Sequence, residues 1–165
     1  NDEHYADVKI VNIDSYTPGA ALNLGVKKAN YENILIISSH CVLKKFDITE
    51  LTLNLEKYAG IFGNQIPLYQ GKKITKRYLW KHFTDSIVED MYSDMEDRSF
   101  FHNAASVFTR ESLLKFPFNE NITGKEDRYW ADKVINSGAH TLYDPLSLEV
   151  DHHYTSNGNT WKGIG

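Results

Sequence analysis

Apolar positions along the chain fall into short runs of two different periods. Val8 to Ile13 alternates apolar and polar side chains and is rich in β-branched residues, which predicts a strand. The following Asp14-Ser15-Tyr16-Thr17-Pro18-Gly19 predicts a turn-rich loop. From Ala20 to Ala29 the residues Ala21, Leu22, Gly25, Val26 and Ala29 recur at helical spacing, and Asn33 to Ser38 then has the apolar run of a fully buried strand. Strand, helix and strand in that order imply a βαβ unit and a parallel sheet. Asp47, with Glu50 three residues on, is a capping box in Asp form. It precedes a helix whose stripe is Ile48, Leu51, Leu55 and Tyr58. Gly60 to Gln65 predicts the next strand, and Lys72 to Lys81 a basic helix followed by a mobile acidic loop through Asp97. Ala104 to Thr109 predicts a strand, Glu126 to Ser137 a helix closed by Gly138, and Thr141 to Tyr143 and Leu148 to His152 two short strands.

These elements make one α/β domain over residues 1–154, with a polar, turn-forming loop or tail over 155–165. A length of 165 residues with 41% hydrophobic positions supports one substantial core. The chain enters its first strand without the earlier strand and helix that usually build a nucleotide site at a sheet edge, so the domain is expected to lack its N-terminal part. The 18 basic against 22 acidic residues leave a net charge of −4, which argues against a surface built to neutralise phosphates and against nucleic acid as a partner. A single cysteine, Cys41, excludes an intramolecular disulfide and a multi-cysteine metal cluster, in keeping with a reducing cytoplasm. The longest apolar run, Ile34 to Ile37, falls far short of the roughly 20 residues needed to span a bilayer. Membrane association, at the inner face, is expected only through parts outside this chain. The aromatic content of 13% suits carbohydrate or nucleotide sites as well as cores.

Four places carry candidate chemistry. Ser38-Ser39-His40-Cys41 follows a strand at the carboxyl edge where α/β sheets bind ligands. There His40 either ligates a divalent metal through a neutral imidazole or caps the strand end. Glu126-Asp127 opens a helix whose Trp130, Ala131 and Val134 would dock on the sheet. The pair either complements the helix dipole, worth about 0.3–1 kcal/mol, or supplies a general base. Asp151-His152-His153-Tyr154 follows a strand, and neighbouring histidines on extended chain face opposite ways, so one of the two joins a site with His40 or both form a surface pair. Two imidazoles and a phosphate oxygen suit Mn or Zn. Pro18 to Gly25 is a loop entering a helix whose amides are candidates for phosphate, without a full Walker or dinucleotide pattern.

Taken in order, these pieces resemble the family 2 glycosyltransferases of GT-A fold, in particular the rhamnosyltransferase-like and polysaccharide-biosynthesis branch. The resemblance runs through Thr17 to Gly25, Ile34 to Cys41, Gly63 to Pro67, Phe100 to Ser106, Pro117 to Glu120, Glu126 to Ala131 and Val150 to Tyr154. It implies a Rossmann-like, mixed but mainly parallel sheet flanked by helices, truncated at its N-terminus. It also implies inverting transfer of a sugar from a nucleotide-diphospho-sugar donor to the hydroxyl of a glycan or lipid-linked acceptor. By the same resemblance Asp127 is the catalytic base with Glu126 in support. Asn23, Gly25, Ser38, Ser39 and His40 hold the donor diphosphate, and Asn103 and Trp130 the acceptor sugar. A divalent metal, Mn or Mg, is held by His40 with His152 or His153. Ser38 stands where the first Asp of the family's metal motif is found, while polypeptide GalNAc-transferases carry a similar Asp-Ser-His-Cys run with a ligating histidine. The alternatives from other classes are a non-catalytic sugar-binding or scaffolding remnant of the fold and, more distantly, a metal-dependent hydrolase.

Overall fold

The computed structural model describes residues 8–74 and 78–154. Helix α1 (Pro18–Lys28) starts where Thr17 accepts the Ala20 amide through its hydroxyl, and Pro18 supplies a first helical residue that needs no amide partner. Strand β1 (Asn33–Ile37) leads through a turn into β2 (Cys41–Phe46). Asp47 caps α2 (Ile48–Asn54) by accepting the Glu50 amide, as its pattern predicts. Then come β3 (Gly60–Phe62), β4 (Asn64–Tyr69), β5 (Lys72–Lys73), a 3-10 turn (Tyr78–His82) and the two-residue strands β6 (Val88–Glu89), β7 (Tyr92–Ser93) and β8 (Arg98–Ser99). The chain closes with β9 (Ala105–Thr109), α3 (Arg110–Lys115), α4 (Glu126–Asn136), β10 (Thr141–Tyr143) and β11 (Leu148–Tyr154).

The architecture is mixed α/β with two open sheets, ordered β1-β9-β3-β10-β6 and β2-β11-β4-β5, and a separate β7-β8 hairpin. Within them β10 runs parallel to β3 and β11 parallel to β4, while the other pairings are antiparallel. The sheets are therefore not mainly parallel. Three times the chain steps from the first sheet to the second: from β1 to β2, from β3 to β4 and from β10 to β11. The middle step turns on Gly63, where a Cβ would lie 2.4 Å from both the Leu148 side chain and its carbonyl oxygen. Only a residue without a side chain lets β11 pass that closely.

Alternation along the first sheet builds one core on each face. Ile61, Val107 and Leu142 join Leu51 and Leu55 of α2 on one side. Phe62, Phe108 and Tyr143 join Trp130, Ala131 and Val134 of α4 on the other. Gly60 permits this second contact, since a Cβ there would sit within 2.8 Å of Phe108 and Trp130.

Several expectations are corrected. Val8 to Ile13 forms no strand, and Val8 and Ile10 are exposed. An alternating pattern needs a neighbour to pair with, and no described strand lies beside it. Asn33 to Ile37 is a sheet edge with alternating exposure, bonded antiparallel to β9, so the predicted buried βαβ unit does not form. The strand predicted over 60–65 is two strands parted at Gly63, and β11 runs two residues beyond its predicted end. The basic helix and acidic loop are replaced by β5, the 3-10 turn and the short strands β6 to β8. The tail predicted over 155–165 lies outside the described residues. Among the described residues no helix is long and apolar enough to cross a membrane.

Trp130 is 1% exposed, and its indole N–H donates to the Phe116 carbonyl at 2.7 Å. Trp130→Ala is expected to cost about 3–5 kcal/mol of stability, read as a lower midpoint in urea unfolding. A change within about 0.5 kcal/mol would place the indole outside the core.

Candidate functional site

The site begins with a register. In the antiparallel pairing of β2 and β11, Cys41 stands opposite His152, so both side chains leave the sheet on one face. His40, one residue earlier in the turn after β1, is fastened by its carbonyl accepting the His153 amide at 2.9 Å. Its imidazole reaches His152 with Nε2 to Nε2 at 3.1 Å. The predicted meeting of His40 with one late histidine is thus present, and His152 is the one. His153, next along an extended strand, is exposed and outside the group that His40, Cys41 and His152 form.

Hydrogen bonds assign the protons. His152 Nδ1 lies 2.9 Å from Gln65 Oε1, an acceptor, so Nδ1 carries the hydrogen. In the neutral ring Nε2 then holds the lone pair and accepts from His40 Nε2–H. The amide end of Gln65 donates to His102 Nδ1 at 3.0 Å. The result is a chain His40, His152, Gln65, His102 drawn from four separate elements. Burial holds all three imidazoles below their ordinary value. For His40 the His153 charge adds to it; for His102, Arg128 and then His40; His152 is brought down to about 2, with the other three histidines adding to its burial. All three are neutral at pH 7. Trp80 packs edge-on against His152, and its buried indole N–H has no partner among the described residues.

The chain of imidazoles runs on toward the start of α4. Asn103, beside His102, donates its backbone N–H to Asp127 Oδ2 at 3.2 Å. Asp127 is buried, with Arg128 donating from its backbone to Oδ1 and from its guanidinium to Oδ2 at 2.8 Å. Both of its oxygens are occupied. Glu126 is half-buried and bonds to the Asn103 side chain. Its carboxyl is pushed above the usual range, first by burial and then by the charge of Asp127. His40, His152 and the acidic pair are therefore linked through residues 102 and 103.

Other predicted contacts are placed elsewhere. Asn23 is buried in α1, its amide donating to the Phe118 carbonyl and to Glu120 while its oxygen accepts the Phe118 amide. It ties α1 to the 118–120 segment and has nothing left for a diphosphate. Gly25 sits on the exposed side of α1, beyond the first turn where an anion would meet free amides. Ser38 and Ser39 form the turn that carries His40, the Ser38 amide donating to Ala104 and its carbonyl accepting from Cys41. Trp130 is core and no sugar can stack on it. Asn103 keeps its place beside Glu126 and Asp127.

Mn or Mg does not fit the donor set. Such ions favour carboxylate, carbonyl and water oxygens, whereas the group around His40 offers two imidazole nitrogens and a thiol. Asp151 does not amend this, because it faces away from His152 and pairs with Lys44 at 3.4 Å. The other cluster of ligating residues, Glu89, Asp90 and His140, is largely accounted for by Asp90 accepting from Thr141 and pairing with His140 at 2.6 Å.

No protein-family model matches the chain, and no curated protein matches it.

The lowered imidazoles make stability depend on pH. A histidine whose folded value lies below its unfolded value of about 6.5 contributes stability above that pH and loses it as the pH falls toward the folded value. The urea midpoint is therefore expected to drop between about pH 7.5 and about pH 5, and to drop less in His152→Asn. The exposed His140, raised by Asp90, works in the opposite sense but is common to both proteins. An equal drop in variant and parent would show that His152 is not the buried neutral group.

Proposed function

We propose that the chain carries the leaving-group and base side of a nucleotide-sugar-dependent glycosyltransferase of GT-A type, moving a sugar onto an acceptor hydroxyl with inversion. One observation supports the reading: an imidazole pair at a sheet edge and an acidic pair at a helix start lie along one connected path through His102 and Asn103. Sugar transfer by single displacement needs both kinds of group, a base and donors for the leaving diphosphate. A base removes the acceptor proton, the acceptor oxygen bonds the anomeric carbon from one face, and the bond to the diphosphate breaks on the other.

Of the two carboxylates, Glu126 is the better base. Asp127 has both oxygens engaged by Arg128 and Asn103, whereas burial and the neighbouring charge give Glu126 a proton affinity closer to neutral pH. Asp127 then serves as the fixed charge that tunes its neighbour. On the leaving-group side, the Trp80 N–H, which has no partner among the described residues, is a neutral donor for the charge that gathers on the diphosphate, and His40 Nε2–H becomes a second one once it turns away from His152. Mn and Mg take no part in this reading, because the group around His40 offers nitrogen and sulfur where they favour oxygen.

The test is release of nucleoside diphosphate from a panel of nucleotide-diphospho-sugars, with and without glycan acceptors. Glu126→Gln is expected to cut turnover by about 100- to 10,000-fold while donor binding survives. Asp127→Asn should lower turnover and stability together, because it takes from the buried Arg128 the nearer of its two counter-charges and leaves only Glu96 at 3.7 Å. Near-normal turnover in Glu126→Gln would overturn the assignment of the base. Sugar binding without any nucleoside diphosphate release would favour the scaffolding remnant over the enzyme.

A further inference from the structure

The poor fit for Mn and Mg is itself informative, because the same donors match a different metal. We infer that His40 Nε2, His152 Nε2 and Cys41 Sγ form a three-ligand site for zinc, with the fourth position open to an oxygen ligand. The inference does not depend on the transferase reading.

Backbone geometry places the three donors. Cys41 and His152 are directly paired across β2 and β11, and the turn holding His40 is bonded to the same strand through the His153 amide. All three donor atoms lie within 4.8 Å of one another. In tetrahedral zinc, with bonds of about 2.0–2.1 Å to nitrogen, two imidazole nitrogens stand roughly 3.3 Å apart. The Nε2 atoms here are 3.1 Å apart, so the imidazole pair is set for an ion with little movement. A chance pair of neighbouring histidines would not need the second feature, which is Gln65. By accepting from Nδ1 it holds the His152 lone pair on Nε2, toward His40, as an outer-shell carbonyl does for a ligating histidine.

The proton balance is simple. His40 now donates from Nε2, so on metal binding its hydrogen shifts to Nδ1 and Nε2 becomes a ligand. The Cys41 thiol gives its proton to solvent and binds as thiolate. One divalent ion enters, one proton leaves, and the site gains one positive charge. Two neutral nitrogens, one thiolate and an open fourth place select zinc over oxygen-seeking ions.

The experiment is a metal titration of the full chain, stripped with chelator and free of any sugar donor. Zinc is expected to bind at one equivalent, far more tightly than Mn2+ or Mg2+, with release of one proton per ion. Cobalt in its place should show a thiolate-to-metal charge-transfer band that disappears in Cys41→Ser. His152→Ala should abolish the one-equivalent binding, and Gln65→Leu should weaken it by about 10- to 100-fold. Should the Cys41 variant not fold, the cobalt spectrum of the unaltered chain decides the ligand. Absence of stoichiometric zinc binding, a cobalt spectrum without the thiolate band, zinc binding unchanged in His152→Ala, or Mn2+ or Mg2+ bound as tightly as zinc would each overturn the inference. Since no donor is present, these results are separate from whether sugar transfer occurs.

Discussion

A guanidinium taken out of water at the first turn of α4 sets most of what surrounds it. Arg128 is 7% exposed, and a charge so placed is tolerable only with opposite charge and acceptors close by, here gathered on Nη1 while its Nε has no hydrogen-bond partner among the described residues. Asp127 takes its guanidinium at 2.8 Å, the Phe101 carbonyl accepts at 3.0 Å, Glu96 lies at 3.7 Å, and the Phe100 ring stacks against it at 4.5 Å. These contacts draw the segment after β8 across the helix start. His102 and Asn103 inherit their positions from that, one facing Gln65 and the other facing the acidic pair. Losing either half of the Arg128–Asp127 pair would cost more than the pair itself contributes, because the remaining charge would stay buried. The same requirement divides the two carboxylates. Asp127 is committed to neutralising Arg128, and Glu126 is left with the shifted proton affinity.

The second constraint is the repeated passage from one sheet to the other. Each step leaves a short connection, and the histidine chain draws on residues in or just past two of these. His40 lies in the first, Gln65 two residues beyond the second at Gly63, and His152 on the strand that Gly63 allows to pass. Burial then removes the option of charge: three imidazoles within one chain of hydrogen bonds cannot all take protons in a poorly solvated place. Neutral imidazoles with assigned lone pairs are what a metal or a hydrogen-bond donor requires.

How much of this the residues announced depends on whether the cause was local. The cap of α2 and the strand β10 were legible, because Asp47 and the run Thr141 to Tyr143 act through near neighbours, whereas the loop predicted through Gly19 hid the cap that Thr17 gives α1. Val8 to Ile13 has strand character without a partner, and β-propensity describes a surface that pairs well rather than the presence of a pair. The run Ile34 to Ile37 is equally apolar at an edge or in a sheet centre, so its exposure was not readable. Strands of two residues, such as β7 and β8, are too short to show any period. In the site, His40, His152 and the acidic pair stood out by type and by position at element ends. Gln65, His102 and Trp80 did not, since their roles come from contacts between residues up to 87 positions apart. Trp130 was read both as docking α4 on the sheet and as a sugar platform, since an indole serves either, and its 1% exposure and 2.7 Å bond to Phe116 favour the first.

Glutamine at position 65 shows how fold and chemistry are joined. It is 2% exposed, and a buried amide is costly unless both its ends are satisfied. Its oxygen is satisfied by His152 and its nitrogen by His102, so the cheapest arrangement for the amide fixes one imidazole as a Nδ1–H tautomer and the other as a Nδ1 acceptor. That choice leaves His152 Nε2 as a lone pair, aimed across 3.1 Å at His40. A requirement of folding, that no buried polar group go unpaired, has thereby determined the chemical state of the site. A different residue at 65 would undo the link. A leucine would free both histidines to exchange tautomers, and the His40 pair would lose its fixed acceptor while the surrounding core kept its packing.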